Sequence, residues 1–249
     1  MRRIRLTIAY DGTNYCGWQV QPNGITIEEV LNKALRKLTG EEVMVIGASR
    51  TDSGVHAQAN IAVFDTESTI PADRFAIAIN QKLPDDIVIT QSEEVPSDWH
   101  PRYQDHIIKT YEYHIINSPV LDPTKRLYAY QVTYKLDLEK MREAAGYIVG
   151  KHDFASFCNI RTNAKTTTRT VTELKVEKDG DNLWVCISGD GFLYNMVRII
   201  VGTLLRVGRG FYSPSDVRDI VEAKNRMAAG VTVPPQGLKL IKIEYKNDK

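Results

Sequence analysis

Two passes along the chain meet the same order of elements: strand, helix, strand, strand, helix, strand. Ile4, Leu6, Ile8 and Tyr10 alternate with polar or small residues and predict a first strand. Thr26-Ile27-Glu28-Glu29 is a capping box, and the helix behind it places Ile27, Val30, Leu31, Ala34, Leu35 and Leu38 on one face before Gly40 ends it. Strands follow at about 43–47 and 57–64, a helix starts at Pro71, and Ile87-Val88-Ile89 opens the next strand. The second half runs from a strand at 107–116 to a helix after Asp137. Strands at about 168–177 and 182–190 join at the turn Asp179-Gly180-Asp181. An apolar helix over 193–207, a short helix capped by Ser213-Pro214-Ser215-Asp216 and a strand from Leu238 to Tyr245 close the chain. This β-α-β-β-α-β order is the ferredoxin-like pattern, so the expected class is α+β, two such units with their sheets side by side around a central basic cleft. The boundary falls in the irregular stretch 96–106, giving domains 1–104 and 105–249.

At 249 residues the chain can build either one large core or two small ones. No apolar stretch approaches the ~20 residues that cross a bilayer, and the basic start (Arg2, Arg3, Arg5) alternates rather than forming the apolar core of a signal peptide. A cytoplasmic protein without membrane partners is therefore expected. Cys16, Cys158 and Cys186 are odd in number and far apart, which argues for free thiols and against a disulfide framework. The net charge of +1 hides an asymmetry: residues 65–98 hold eight acids and only two bases. Basic groups gather at Arg2-Arg3-Arg5, at Arg161, Lys165 and Arg169, and at Arg198, Arg206 and Arg209. They are either scattered solvated charges or, if they share a face, contacts for a polyanion.

The chemistry concentrates in Gly47-Ala48-Ser49-Arg50-Thr51-Asp52-Ser53-Gly54-Val55-His56, a short loop between two predicted strands. Arginine, hydroxyl and carboxylate stand side by side in it, and Gly54 admits a backbone that other residues avoid. Taken alone, Thr-Asp-Ser-Gly is also ordinary turn chemistry. Gly-x-x-x-x-Gly-Lys and Gly-x-Ser-x-Gly are both missing, which argues against a phosphate-cradling NTPase and an α/β-hydrolase. The five histidines lack zinc-site spacing, so neither metal nor cofactor is expected. A carboxylate that is to react in a dry cleft needs a cation to offset its desolvation. Arg198, in an apolar helix start, is a candidate, and an exposed place on an amphipathic helix is the competing reading.

Several separated motifs together resemble one family. Tyr10-Asp11-Gly12-Thr13-Asn14-Tyr15-Cys16-Gly17-Trp18-Gln19, Arg50 to Ala57, Leu83-Pro84-Asp85-Asp86-Ile87 and Lys109-Thr110-Tyr111-Glu112-Tyr113 occur in order. Gly150 to Phe157, Phe192 to Arg198 and Pro234-Pro235-Gln236-Gly237-Leu238 follow. This set resembles the tRNA pseudouridine synthase A family and spans nearly the whole chain. The resemblance implies the pseudouridine synthase fold and isomerisation of uridine to pseudouridine in tRNA, at positions 38, 39 and 40 of the anticodon stem-loop. It implies Asp52 as nucleophile, attacking ribose C1′ or uracil C6. Tyr111 would stack on the target base and help remove its C5 proton, and Arg198 would pair with Asp52. Arg50 would fill the space the base leaves, and Leu193 would join Tyr111 and Arg50 in binding substrate. A homodimer is implied, with tRNA as the partner. Ser49, where relatives often carry Gly, and the stretch Trp99 to Ile108 depart from the pattern.

Two other classes stay open on sequence grounds. A non-catalytic RNA-binding protein would use the same sheets and tolerate Asp52→Ala. A small-molecule nucleosidase would need a second carboxylate near Asp52, for which Asp11 is the nearest candidate in the motifs. Trp18, Tyr15, Phe154 and Phe157 read as packing residues, and His56 as a support of the loop.

Overall fold

The computed structural model describes residues 1–159 and 165–245; Arg161 of the second basic group lies outside the described residues. The elements in chain order are β1 (Arg2–Tyr10), α1 (Ile27–Thr39), β2 (Ile46–Gly47), β3 (His56–Thr66), α2 (Phe75–Asn80) and β4 (Ile87–Val95). Then come β5 (Ile108–Asn117), β6 (Tyr130–Val132), α3 (Leu138–Gly146), β7 (Gly150–Asp153), β8 (Thr168–Asp179) and β9 (Asn182–Gly189). The last are α4 (Met196–Gly208), α5 (Asp216–Ala223) and β10 (Leu238–Glu244). The class is α+β. The chain forms two compact units, Met1–Ile107 with Leu240–Lys249, and Ile108–Lys239.

In the first unit the strands lie in the order β4-β1-β3-β10, with β2 on β3. β1 runs antiparallel to both β3 and β4, and Ile4, Leu6, Ile8 and Tyr10 all point into the core. α1 begins as its capping box predicts: the Thr26 hydroxyl accepts the Glu29 N–H at 3.4 Å. Gly40 closes it at φ 75°, with its N–H returning to the Arg36 carbonyl at 2.9 Å. The strand expected over 43–47 shrinks to Ile46–Gly47, because the Val45 N–H is taken by Asn32 Oδ1 of α1 at 2.9 Å.

The N-terminal basic cluster is consumed within this unit. Arg3 forms a two-pronged pair with Asp65, both contacts at 2.7 Å. Arg2 meets Glu94 at 2.6 Å and Arg5 meets Glu93 at 3.4 Å. Three acids of the 65–98 stretch, Asp65 on β3 and Glu93 and Glu94 on β4, thus neutralise the basic face of β1 between them.

The second unit orders its strands β5-β9-β8-β7, with β6 parallel to β5. β6 and β7 are strands that the periodicity of the sequence did not indicate. The turn between β8 and β9 is as read, with Gly180 at φ 56°. Phe154 and Phe157 are fully buried, as their reading as core requires. The helix expected from Leu193 starts at Met196, because Asn195 takes a left-handed backbone at φ 62° that no helix can include. Within α4 every residue except Arg198 and Arg206 is buried, so this is a core helix and not an amphipathic surface one. Among the described residues no helix is long and apolar enough to cross a membrane.

Candidate functional site

The Asp52 loop is held from two directions within the first unit. On one side, Asn60 in the middle of β3 is fully buried and anchors three groups. Its Oδ1 accepts the Ser49 N–H at 3.3 Å, and its Nδ2 donates to the Ser49 carbonyl at 3.0 Å and to the Tyr10 hydroxyl at 3.3 Å. That hydroxyl in turn lies 2.7 Å from Thr51 Oγ1, next to Asp52. On the other side runs the segment after β1. The Trp18 N–H donates to the Thr51 carbonyl at 3.0 Å, and the Tyr15 carbonyl accepts the Gly54 N–H at 3.3 Å and Ser53 Oγ at 3.2 Å. Ser49, the departure from the family pattern, is buried and sits inside the first clamp.

Two glycines make this approach possible. A Cβ on Gly12 would lie 2.1 Å from the Val55 carbonyl oxygen, and one on Gly17, already at φ 85°, 2.7 Å from the Thr51 carbonyl oxygen. Both obstacles are backbone, so neither can swing aside. Gly54 takes φ 75°, the left-handed turn its sequence position implied. The result is a turn in which Asp52 stays half-buried and Arg50 is exposed, while the exposed Ser53 keeps its hydroxyl on the Tyr15 carbonyl.

The residues around the loop play the supporting parts expected of them. Trp18 is buried against Gly47, and Tyr15 is buried with its hydroxyl donating to Asp86 Oδ1 at 2.5 Å. Burial first, then Asp86, push the Tyr15 phenol well above its ordinary value, so it remains a donor. His56 is buried, its Nδ1 3.1 Å from the Gly12 N–H and 3.0 Å from Asp11 Oδ1. Asp11 also accepts from Thr13 N–H at 3.0 Å and Thr13 Oγ1 at 2.6 Å. The carboxylate that a nucleosidase would need is thereby engaged in closing its own turn.

In the second unit, Tyr111 pairs across β5 and β9 with Ile187 and is 6% exposed. Its ring meets Phe192 edge-on, centroids 5.2 Å apart and planes at 84°. Leu193 is buried in the turn before α4, its carbonyl accepting the Met196 N–H at 3.0 Å. Arg198 sits in the first turn of α4. Its Nε donates to the Val233 carbonyl at 2.8 Å and its Nη1 to Asn195 Oδ1 at 2.7 Å. The left-handed Asn195 therefore both starts the helix and orients the guanidinium.

The Val233 carbonyl is placed by close packing of residues 230–233 on α4. A Cβ on Gly202 would lie 1.9 Å from the Val231 carbonyl oxygen, and the Gly230 N–H donates to Thr203 Oγ1 at 2.9 Å. Tyr113 fixes the next residue by donating from its hydroxyl to the Pro234 carbonyl at 2.7 Å. Asn60, Asn195 and Gly202 were not singled out from sequence. The one signal was Asn60, an amide inside an apolar alternating run.

A family model described as tRNA pseudouridine synthase matches residues 6–104 and 144–246. The chain belongs to the tRNA pseudouridine synthase family. Membership extends over its length: "tRNA pseudouridine synthase A 2" of Clostridium perfringens is 50% identical over 245 residues, covering 98% of this chain and all of that protein. "tRNA pseudouridine synthase A" of Thermoanaerobacter sp. and of Brevibacillus brevis are 49% and 47% identical over the same share. The match to the pseudouridine synthase model has two blocks, and Tyr111 falls in the interval between them, while the full-length relatives span that interval too. The Asp52 loop lies in the first block, and Leu193 and Arg198 lie in the second.

Proposed function

We propose that this chain isomerises uridine to pseudouridine in tRNA, with Asp52 as the nucleophile. The observation that carries the reading is the doubly clamped loop that presents one half-buried carboxylate, in a chain whose full-length relatives bear the name of this activity. In the reaction the carboxylate adds to ribose C1′ or to uracil C6. The N1–C1′ bond breaks, the base turns, a C5–C1′ bond forms, and the bond to the Asp52 carboxylate breaks again, which returns the free nucleophile. C5 loses its proton and N1 gains one, so atoms balance without oxidant or reductant. A covalent route divides one difficult bond exchange into two easier ones. In this reading Tyr111 stacks on the base and takes part in C5 deprotonation, and Arg198 supplies the charge that keeps the nucleophile ionised. Arg50 and Leu193 contact substrate. The kinship also supports targets at positions 38, 39 and 40, a homodimer and a cytoplasmic setting.

Tritium release from C5-labelled uridine tRNA tests this directly, since pseudouridine cannot form without expelling that hydrogen. The intact chain is expected to release label, and Asp52→Asn to fall by at least ~10³-fold, about 4 kcal/mol of barrier. Release by neither, with tRNA still bound, establishes the non-catalytic RNA-binding protein instead. Equal release by both removes Asp52 from the chemistry.

A further inference from the structure

Asn195 stands at the N-cap of α4, where an asparagine oxygen ordinarily accepts a backbone N–H of the first turn. Thr26 and Asp137 do this for α1 and α3, accepting the Glu29 and Lys140 N–H groups at 3.4 and 3.2 Å. Asn195 makes no such bond. Its Oδ1 takes the third residue of the helix by the side chain instead, accepting Arg198 Nη1 at 2.7 Å. A backbone at φ 62° and ψ 7° accompanies this contact, a left-handed conformation that strains any residue with a Cβ and asparagine less than most. Capping does not account for that strain; the arginine contact does.

Arg198 Nε is held separately by the Val233 carbonyl at 2.8 Å. That bond alone would leave the guanidinium free to turn about it. Two fixed donors of one planar fork set both its plane and its direction. Both acceptors, an amide oxygen and a peptide oxygen, are neutral, so they aim the cation without cancelling its charge. We propose that Asn195 is a positioning residue for the reaction: its amide oxygen aims the Arg198 guanidinium, and the left-handed turn before α4 serves that contact. The inference rests on the role given to Arg198 above, as the cation that keeps the nucleophile ionised.

Glycine and alanine at this position separate positioning from folding. Asn195→Gly keeps the left-handed turn without strain and removes the amide, whereas Asn195→Ala removes the amide and strains the turn. In tritium release both are expected to lose kcat by ~10–100-fold with KM within about threefold, while only Asn195→Ala unfolds at a lower temperature. Added to Arg198→Gln, Asn195→Gly should cost nothing further, because the amide then has no guanidinium to aim. Asn195→Asp keeps an acceptor and a tolerated turn but sets a negative charge on Arg198, so it should unfold no lower than the wild type and still turn over slowly. Nitrogen NMR of the arginine side chains, with Arg198 assigned by its loss in Arg198→Gln, reads the clamp without the reaction. Slow rotation about Nε–Cζ should resolve the Arg198 Nη signals in the intact chain and average them in Asn195→Gly. Full kcat in Asn195→Gly, turnover that follows unfolding temperature across the two variants, an additive double variant, or Arg198 signals alike in both chains would make Asn195 structural and end the proposal. A wild-type chain that releases no label is a separate failure: the synthase reading falls and takes the positioning role with it, even where the NMR contrast shows the clamp.

Discussion

Asn60 does more for the candidate site than its place in a strand suggests. It is fully buried and its amide holds both peptide groups of Ser49 and, through Tyr10, the Thr51 hydroxyl. Asn60→Ala would strand several buried polar groups at once, so a loss of about 2–4 kcal/mol is expected. Turnover should drop at least ~10-fold at a temperature where the variant is folded, read by urea unfolding and by label release. Full activity in the folded variant would restrict Asn60 to stability. Asp153 carries a different expectation. Its carboxyl accepts from Thr167 Oγ1 at 2.5 Å and Ala155 N–H at 3.2 Å and pairs with Lys224 at 3.3 Å. The Thr167 bond foremost, then Lys224 and Ala155, hold its pKa below the usual carboxylate range. A depressed folded pKa stabilises above the unfolded value, about 4, and that contribution disappears as pH falls through the folded value. Asp153→Asn should therefore lower the urea midpoint at neutral pH and flatten its decline toward acid; an unchanged acid limb would refute the assignment.

Among the elements, α4 shows how packing reaches the site. Its glycine at 202 lets the 230–233 segment lie against the helix, and that segment supplies the carbonyl that receives Arg198 Nε. Gly202→Ala places a methyl against backbone, costing about 1–3 kcal/mol, and should shift Val233 off its arginine. The measurable pair is a lower unfolding temperature and a fall in turnover that persists at low temperature. Much of this level was legible beforehand. β1, α1 and the β8–β9 hairpin announced themselves through alternation, a capping box and a Gly turn, all local signals. β6 and β7 did not, because each is short and exists only by pairing with a strand made elsewhere in the chain. The Asp52 loop was legible as a motif, whereas its clamps were not: they join residues 10–18, 49–54 and 60, which no periodicity links. The N-terminal arginines stayed open between solvated charges and polyanion contacts for the same reason, since their acidic partners lie about sixty to ninety residues away.

For the molecule as a whole, the first unit is discontinuous in sequence: the chain leaves it after Ile107 and returns at Leu240. β10 lies beside β3, and Tyr245 just beyond it packs edge-on to Trp99 at 5.1 Å while Arg5 lies over both rings at 5.3 Å. Removing residues 240–249 would open that edge of the sheet and the aromatic cluster together. Hydrogen exchange should then show amides of β1 and β3 losing protection while those of β8 and β9 keep theirs; equal loss in both units would show that the two unfold as one.

That same return sets an order of events on the ribosome. The unit begun first is completed last, after the whole of residues 108–239 has been made, which takes on the order of ten seconds at typical elongation rates. Until then the nascent chain carries the Asp52 loop on a sheet that still lacks its final strand. A product cut short by a stalled ribosome would hold every residue of that loop yet lack the strand beside β3, and would be marked for proteolysis rather than catalysis.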